Sequence, residues 1–155
     1  MAWNVFLRSL FSCLWLNPLT TRLYDWVRPA GHLGLQGERA AQRYLRKQGY
    51  IILAHQYSNK YGELDLIATK QQTVVIVEVK TRRSDQAGLP AEAVDAKKQA
   101  RISRAALAYL SRHDLLEHPA RFDVIGVLWP PGKKRPVITH YINAFETAGL
   151  FQMYA

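Results

Sequence analysis

Residues 62–84 read GELDLIATKQQTVVIVEVKTRRS, two apolar runs separated by a polar Lys-Gln-Gln. Aliphatic and β-branched residues dominate both runs, so each is expected to be a strand and the pair a hairpin. Charged residues nonetheless interrupt the apolar pattern at Asp65, Glu78 and Lys80. Successive side chains of a strand face opposite sides, so Glu78 and Lys80 share a face with Val74 and Ile76 while Val75, Val77 and Val79 take the other. Pairing around the turn then carries Asp65 and Glu78 toward the outer ends of their strands, with the Lys80 ammonium beside them. Two carboxylates a few ångströms apart repel unless they share a proton or bind a cation, and hard divalent ions such as Mg²⁺ or Mn²⁺ prefer oxygen ligands.

Around this hairpin the chain alternates helix and strand signals. Residues 35–48 place Ala41, Tyr44 and Leu45 at helical spacing, and Gly49 is the expected helix stop. Residues 50–57, 63–69 and 74–80 read as a three-stranded meander. A turn-like SDQAGLP follows, then a helix over 93–112 on the stripe Val94, Ile102, Ala105, Ala106, Tyr109 and Leu110. Residues 121–129 and 136–142 are two further strands, and NAFETAGLF is expected to close with a short helical turn. The order αβββαββ implies an α/β fold, a mixed five-stranded sheet flanked by helices. A chain of 155 residues has room for one such domain, over 31–155, after an aromatic-rich extension over 1–30 bounded by Pro18, Pro29 and Gly31.

The helices add candidates to the site. Glu38 precedes Ala41 and Leu45 by three and seven residues, on the apolar stripe and near a helix N-terminus that favours an anion. Lys98 falls between Val94 and Ile102 at steps of four, which sets a cation on the buried stripe of the second helix with Gln99 adjacent. Arg82, Arg83, Lys97, Arg101 and Arg104 suit phosphate contacts or, equally, solvated faces. Lys133, Lys134 and Arg135 sit in a hairpin tip, where charge is usual. Arg121 and Asp123 flank Phe122 and are expected to pair. Tyr57 and Tyr61 are read as core or rim residues ahead of base-stacking ones.

The charge balance directs the choice of partner. Lys and Arg number 21 against 12 Asp and Glu, a net +9, which points to a polyanion, with nucleic acid, and DNA in particular, ahead of an anionic membrane. Cys13 is the lone cysteine, so neither an intrachain disulfide nor a cysteine-rich zinc site can form, and a cytoplasmic location is expected. The five histidines show no helical metal-ligand pair and no HExxH pattern, and are read as surface or satisfied core residues. The run from Trp3 to Leu16 is interrupted by Arg8, too short to span a bilayer and without the basic start of a secretory signal. Packing or partner docking by residues 3–28 is favoured over membrane contact, because lipid anchors carry more basic residues.

The spacing of Asp65 and Glu78-Val79-Lys80, with twelve residues between, resembles the D…ExK core of the PD-(D/E)xK nuclease superfamily. GLQGERAAQRYLRKQGY, GELDLIA, VEVKTRR, KKQARISRAALAYL, RFDVIGV and NAF occur in the order of the bacterial YraN family, itself similar to archaeal Holliday-junction resolvases; the resemblance covers residues 34–145. It implies a restriction-endonuclease-like core in which Asp65, Glu78 and the Val79 carbonyl hold Mg²⁺. Lys80 would then position the attacking water or stabilise the phosphorane, and Glu38 would assist the metal. Resolvase likeness implies a homodimer. The chain departs from the family in reading QYSNKYGELD where Asn-Tyr-Arg precedes the motif, so a basic contact is moved to Lys60 or lost. The expected function is a Mg²⁺-dependent endonuclease for branched or otherwise structured DNA. The rival readings are a non-catalytic nucleic-acid-binding module on the same fold and a membrane-peripheral adaptor working through residues 3–28.

Overall fold

The computed structural model describes residues 33–84 and 94–146. The extension over 1–30, the SDQAGLP turn and the far end of NAFETAGLF lie outside them. Helix α1 spans Leu33–Lys47 and buries Leu35, Ala41 and Leu45. It ends as the glycine predicts: Gly49 has φ 83°, and Tyr50 N–H donates to the Leu45 carbonyl at 3.0 Å while Gly49 N–H donates to that of Arg46. These two bonds satisfy carbonyls that the last turn would leave open.

Strands β1 (Ile51–Asn59), β2 (Gly62–Lys70) and β3 (Thr73–Arg82) form the meander, in antiparallel register. Lys70 pairs with Thr73, so the β2–β3 turn is only Gln71-Gln72, with φ 50° and 68°. Positive φ at both central residues is the type I′ pattern, whose twist matches that of the flanking strands. Helix α2 (Ala96–Arg112) begins later than the expected 93, because the Asp95 carboxylate accepts the Lys98 N–H at 2.7 Å and caps it there. It carries the chain across to β4 (Ala120–Leu128), which pairs parallel to β3; β5 (Val137–Phe145) returns antiparallel. Spatial order in the sheet is β1-β2-β3-β4-β5.

The helices cover opposite faces. Leu64, Ile67, Val74, Ile76, Phe122 and Val124 pack with Ile102, Tyr109 and Leu110 of α2, whereas Leu66, Val75, Val77, Ile125 and Val127 pack with Ala41 and Leu45 of α1. Strand β3 is therefore buried on both sides from Val74 to Val77, which explains why it reads as a continuous apolar run. Among the described residues no helix is long and apolar enough to cross a membrane.

One strand runs further than expected. Asn143, Ala144 and Phe145 extend β5, and the closing turn expected after them lies outside the described residues. Asn143 adopts φ 52° at a register shift opposite Phe122 and Val124, its N–H donates to the Asp123 carboxylate at 2.9 Å, and Phe145 stacks on Phe122 at 5.0 Å. A bulge held by a buried carboxylate thus lets the strand continue.

Candidate active site where two strands part

The β2–β3 ladder stops at Leu66–Val77. Val74 N–H donates to the Pro119 carbonyl, and the Arg82 carbonyl accepts the Trp129 N–H, so the even-numbered residues of β3 turn their backbone groups toward β4. The N–H and carbonyl of Val79 therefore leave β3 on the opposite edge, facing β2. Asp65 takes up the freed donor, its carboxylate accepting the Val79 N–H at 2.7 Å. This partly buried side chain thus sits where the two strands part.

Glu78 lies on the α2 face and is only 6% exposed. Two ammonium groups meet one of its oxygens: Lys80 at 3.0 Å, and Lys98, which bonds it more closely still. From the α1 face comes Glu38, whose carboxylate accepts the side-chain amide of Gln56 at 2.9 Å. Gln56 lies opposite Asp65, between the pairs His55–Leu66 and Tyr57–Leu64, and has φ 48°. A non-glycine residue in the left-handed region costs on the order of 1–3 kcal/mol and is concentrated at functional sites. Because α1 starts at Leu33, its first turn holds no acid, so Glu38 is placed by Gln56 and the sheet instead of by the helix end.

The electrostatics follow from this crowding. Burial raises Asp65 from 3.8 to about 7, reinforced by the charges of Glu78 and, more weakly, Glu38, and opposed by the Val79 hydrogen bond and by Lys98. Burial also lowers the pKa of Lys80, and the neighbouring Lys98 ammonium lowers it further. For Lys98 burial acts downward too, but its bonds to Glu78 and Lys80 outweigh it and hold the proton. The two lysines thus differ: Lys98 is the standing counter-charge of Glu78, and Lys80 is the one more easily deprotonated.

Among the described residues no three His, Cys, Asp or Glu side chains gather into a metal-holding group. Mg²⁺ does not demand one, since it is held by one or two carboxylates and keeps several waters. Asp65 and Glu78, with the Val79 carbonyl on the same edge as the N–H that Asp65 accepts, are hard oxygen donors of that number. Their mutual repulsion is what a divalent ion relieves, so the donor set fits Mg²⁺ or Mn²⁺.

The basic residues border this end of the sheet. Asn59 ties the β1–β2 turn to α2 through the Ala105 carbonyl at 3.0 Å, and the stem of Arg101 lies over Gly62. Lys60 rests over the ring of Tyr61 at 5.0 Å on that same turn. Lys97, Arg101 and Arg104 are exposed along one side of α2, and Arg82 and exposed Arg83 end β3. The Gln99 side-chain amide donates to the Val94 carbonyl at 2.8 Å and pins the chain entering α2. Tyr57 is core, edge-on to Tyr109 at 4.9 Å.

A second polar knot escaped the sequence reading. Arg121 pairs with Asp123 as expected, at 3.0 Å, but Asp123 is fully buried and also meets His140 Nε2 at 2.8 Å, while Arg121 donates to the Tyr50 hydroxyl. Every group in it is satisfied, which marks it as a structural clamp between β4, β5 and the start of β1.

Comparison with known proteins agrees with this frame. The profile of the Uncharacterised protein family UPF0102 matches residues 37–127, which include Glu38, Asp65, Glu78, Lys80 and Lys98. A UPF0102 protein of Rhodopirellula baltica is 39% identical over 166 residues, spanning 99% of either chain. One from Syntrophomonas wolfei is 46% identical over 113 residues, 73% of this chain and 96% of its own. A relative from Nocardia farcinica is 51% identical over 113 residues, 73% of this chain and 88% of its own. A family profile over more than half the chain, and relatives matched along nearly their whole length, establish that the chain belongs to the UPF0102 family, the YraN family.

Proposed function

We propose that the chain is a divalent-metal-dependent endonuclease that hydrolyses phosphodiester bonds in branched or otherwise structured DNA. One observation carries the reading: where β2 and β3 part, the Asp65 carboxylate accepts the N–H of Val79, the residue next to Glu78, and Lys80 is bonded to Glu78 at 3.0 Å. Phosphoryl chemistry uses a metal and a cation together, and two neighbouring carboxylates with a lysine supply the groups for both. The order Asp65, Glu78, Val79, Lys80 also matches the D…ExK core that the sequence resembles.

Mg²⁺ or Mn²⁺ held by Asp65, Glu78 and the Val79 carbonyl would supply the charge that polarises the scissile phosphate and lowers the pKa of the attacking water. Lys80 offers a preorganised cation for charge developing on the phosphoryl oxygens, and its lowered pKa suits it to orient or deprotonate a water. Lys98, bonded to Glu78, holds that side chain in place. Glu38, fixed by Gln56, adds negative potential on the other side of Asp65. The bordering cations Lys60, Arg82, Arg83, Lys97, Arg101 and Arg104 hold the phosphodiester backbone. Symmetric cutting of a four-way junction takes two such sites, hence a homodimer. The alternative, a binding module without cleavage, is favoured by the saturation of Glu78 with two lysines, which balances its charge without a metal.

The test is a panel of labelled linear, nicked, flapped and four-way DNAs incubated with Mg²⁺, Mn²⁺ or chelator, beside calorimetry of Mn²⁺ binding. Cleavage of structured DNA is expected with metal and none with chelator, and Asp65→Asn should weaken Mn²⁺ binding at least about tenfold. Equal Mn²⁺ binding by wild type and Asp65→Asn removes the metal site. Tight, salt-sensitive binding with no cleavage under any metal leaves the module.

A further inference from the structure

On the α1 face a groove of about 460 Å³ runs between α1 and the β4–β5 loop. Arg43, Tyr44 and Lys47 of α1 line one side, and Trp129, Lys134 and Arg135 of the β4–β5 loop line the other. No acidic residue lines it, and none of the four cations has an ion-pair partner among the described residues. Lys47 in the last turn of α1 suits the helix dipole, while Arg43 four residues before it is a like charge that opposes it. Lys134 and Arg135, read from sequence as ordinary loop charge, line the same groove.

Both rings are held in advance. The indole N–H of Trp129 donates to the Lys133 carbonyl at 2.9 Å, and Tyr44 sits edge-on to His140 at 5.8 Å. Trp129 has therefore spent its side-chain polar group within the protein, and its partly buried ring contributes only apolar surface to the groove. Rings that need no ordering on binding keep their stacking energy. Cations and preset aromatic rings lining one groove are the combination by which sequence-tolerant proteins hold unpaired nucleotides. Bases in a duplex are stacked on one another and offer no free face to Trp129.

We infer that this groove is a binding site for single-stranded nucleic acid, distinct from the Asp65–Glu78 cluster and present whether or not that cluster cuts. Its position gives it a use in the proposed activity. Trp129 N–H bonds the Arg82 carbonyl at 2.7 Å, and Lys80 lies two residues back along β3, roughly 7 Å away along the strand. An unpaired strand could thus pass from the site over the end of β3 into the groove.

The experiment uses the full chain in EDTA, where no metal-dependent cutting intervenes, and fluorescence anisotropy with a labelled oligo-dT and a duplex of equal length. Trp129→Leu should weaken oligo-dT binding about tenfold and leave duplex affinity unchanged. Arg43→Ala/Lys47→Ala and Lys134→Ala/Arg135→Ala should each flatten the log-log salt slope for oligo-dT by about 1.4, at about 0.7 per cation on a single strand. Arg112→Ala, an exposed charge at the end of α2, is the control and should change neither. The four cations are exposed, so their variants fold even where Trp129→Leu proves unstable by thermal melting. Unchanged affinity and slope in the groove variants overturns the site, as does an equal effect from Arg112→Ala. Displacement of oligo-dT by poly-Glu at the same charge concentration also overturns it, because the groove would then be a general polyanion surface.

Discussion

In an unfolded chain an aspartate titrates near 3.8, while in the fold Asp65 is raised to about 7 by burial and by the charge of Glu78. A folded-state pKa above the unfolded one means that the native protein binds the extra proton between these values. The stability from that proton is complete below pH 3.8 and is lost as pH climbs through about 7. Asp65→Asn keeps an oxygen for the Val79 N–H but cannot ionise. In metal-free urea titrations the variant should match wild type near pH 4 and exceed it above pH 7 by on the order of 2 kcal/mol, less than the full linkage of 1.36 kcal/mol per unit because Glu78 shares the coupling. A constant difference across that range would show that the carboxylate is not strained. Lys80 gives the complementary prediction for chemistry. As one of 21 basic residues it should contribute no more than about one phosphate contact to DNA affinity. Lys80→Ala should therefore cost less than about tenfold in binding measured in Ca²⁺. A positioned cation acting on transition-state charge is worth about 10²–10³ in rate, so single-turnover cleavage should fall by that much. Equal losses in both assays would reduce Lys80 to a phosphate clamp.

At the scale of elements, the approach of α1 to β3 rests on Gly37. A Cβ there would stand 2.8 Å from Thr81 Cβ and 2.9 Å from its Cγ2, contacts that rotation of the threonine cannot relieve together. Gly37→Ala should force α1 away from β3 and destabilise the fold by about 3 kcal/mol, as overpacking of a close contact does. The same displacement moves Glu38 from Gln56, so Mn²⁺ affinity should fall with stability; a fully stable variant would mean the helix has slack. The period-two pattern made the β2–β3 hairpin legible, and Lys98 was legible because its step of four from Val94 and Ile102 fixes its face. Gln99 lay on the right helix, but its amide is used one turn back, a local choice that spacing does not encode. Gln56 was invisible, since glutamine has no marked preference for the left-handed conformation that re-aims β1 at Asp65. The Asp123–His140 bond was equally hidden, because it depends on the bulge that sets the β4–β5 register.

At the scale of the whole molecule, basic residues border both the Asp65–Glu78 site and the groove beside α1. In the proposed reading the cations beside the Asp65–Glu78 site meet the backbone of a duplex, and those of the groove, beside Tyr44 and Trp129, meet an unpaired strand. If the six cations assigned to the site edge each met one phosphate, the log-log salt slope for duplex DNA would be about −5, at about 0.9 per contact. A DNA that is part duplex and part single strand could engage both regions at once, and the second contact would then be intramolecular and gain from effective concentration. The protein should accordingly bind a forked DNA at least about tenfold more tightly than a duplex or a single strand of equal length. Competition anisotropy with the three DNAs in EDTA measures this, and Trp129→Leu should remove the fork's advantage while leaving duplex affinity in place. Three equal affinities would mean that the two regions act independently and that the positive charge is a general attraction for polyanions.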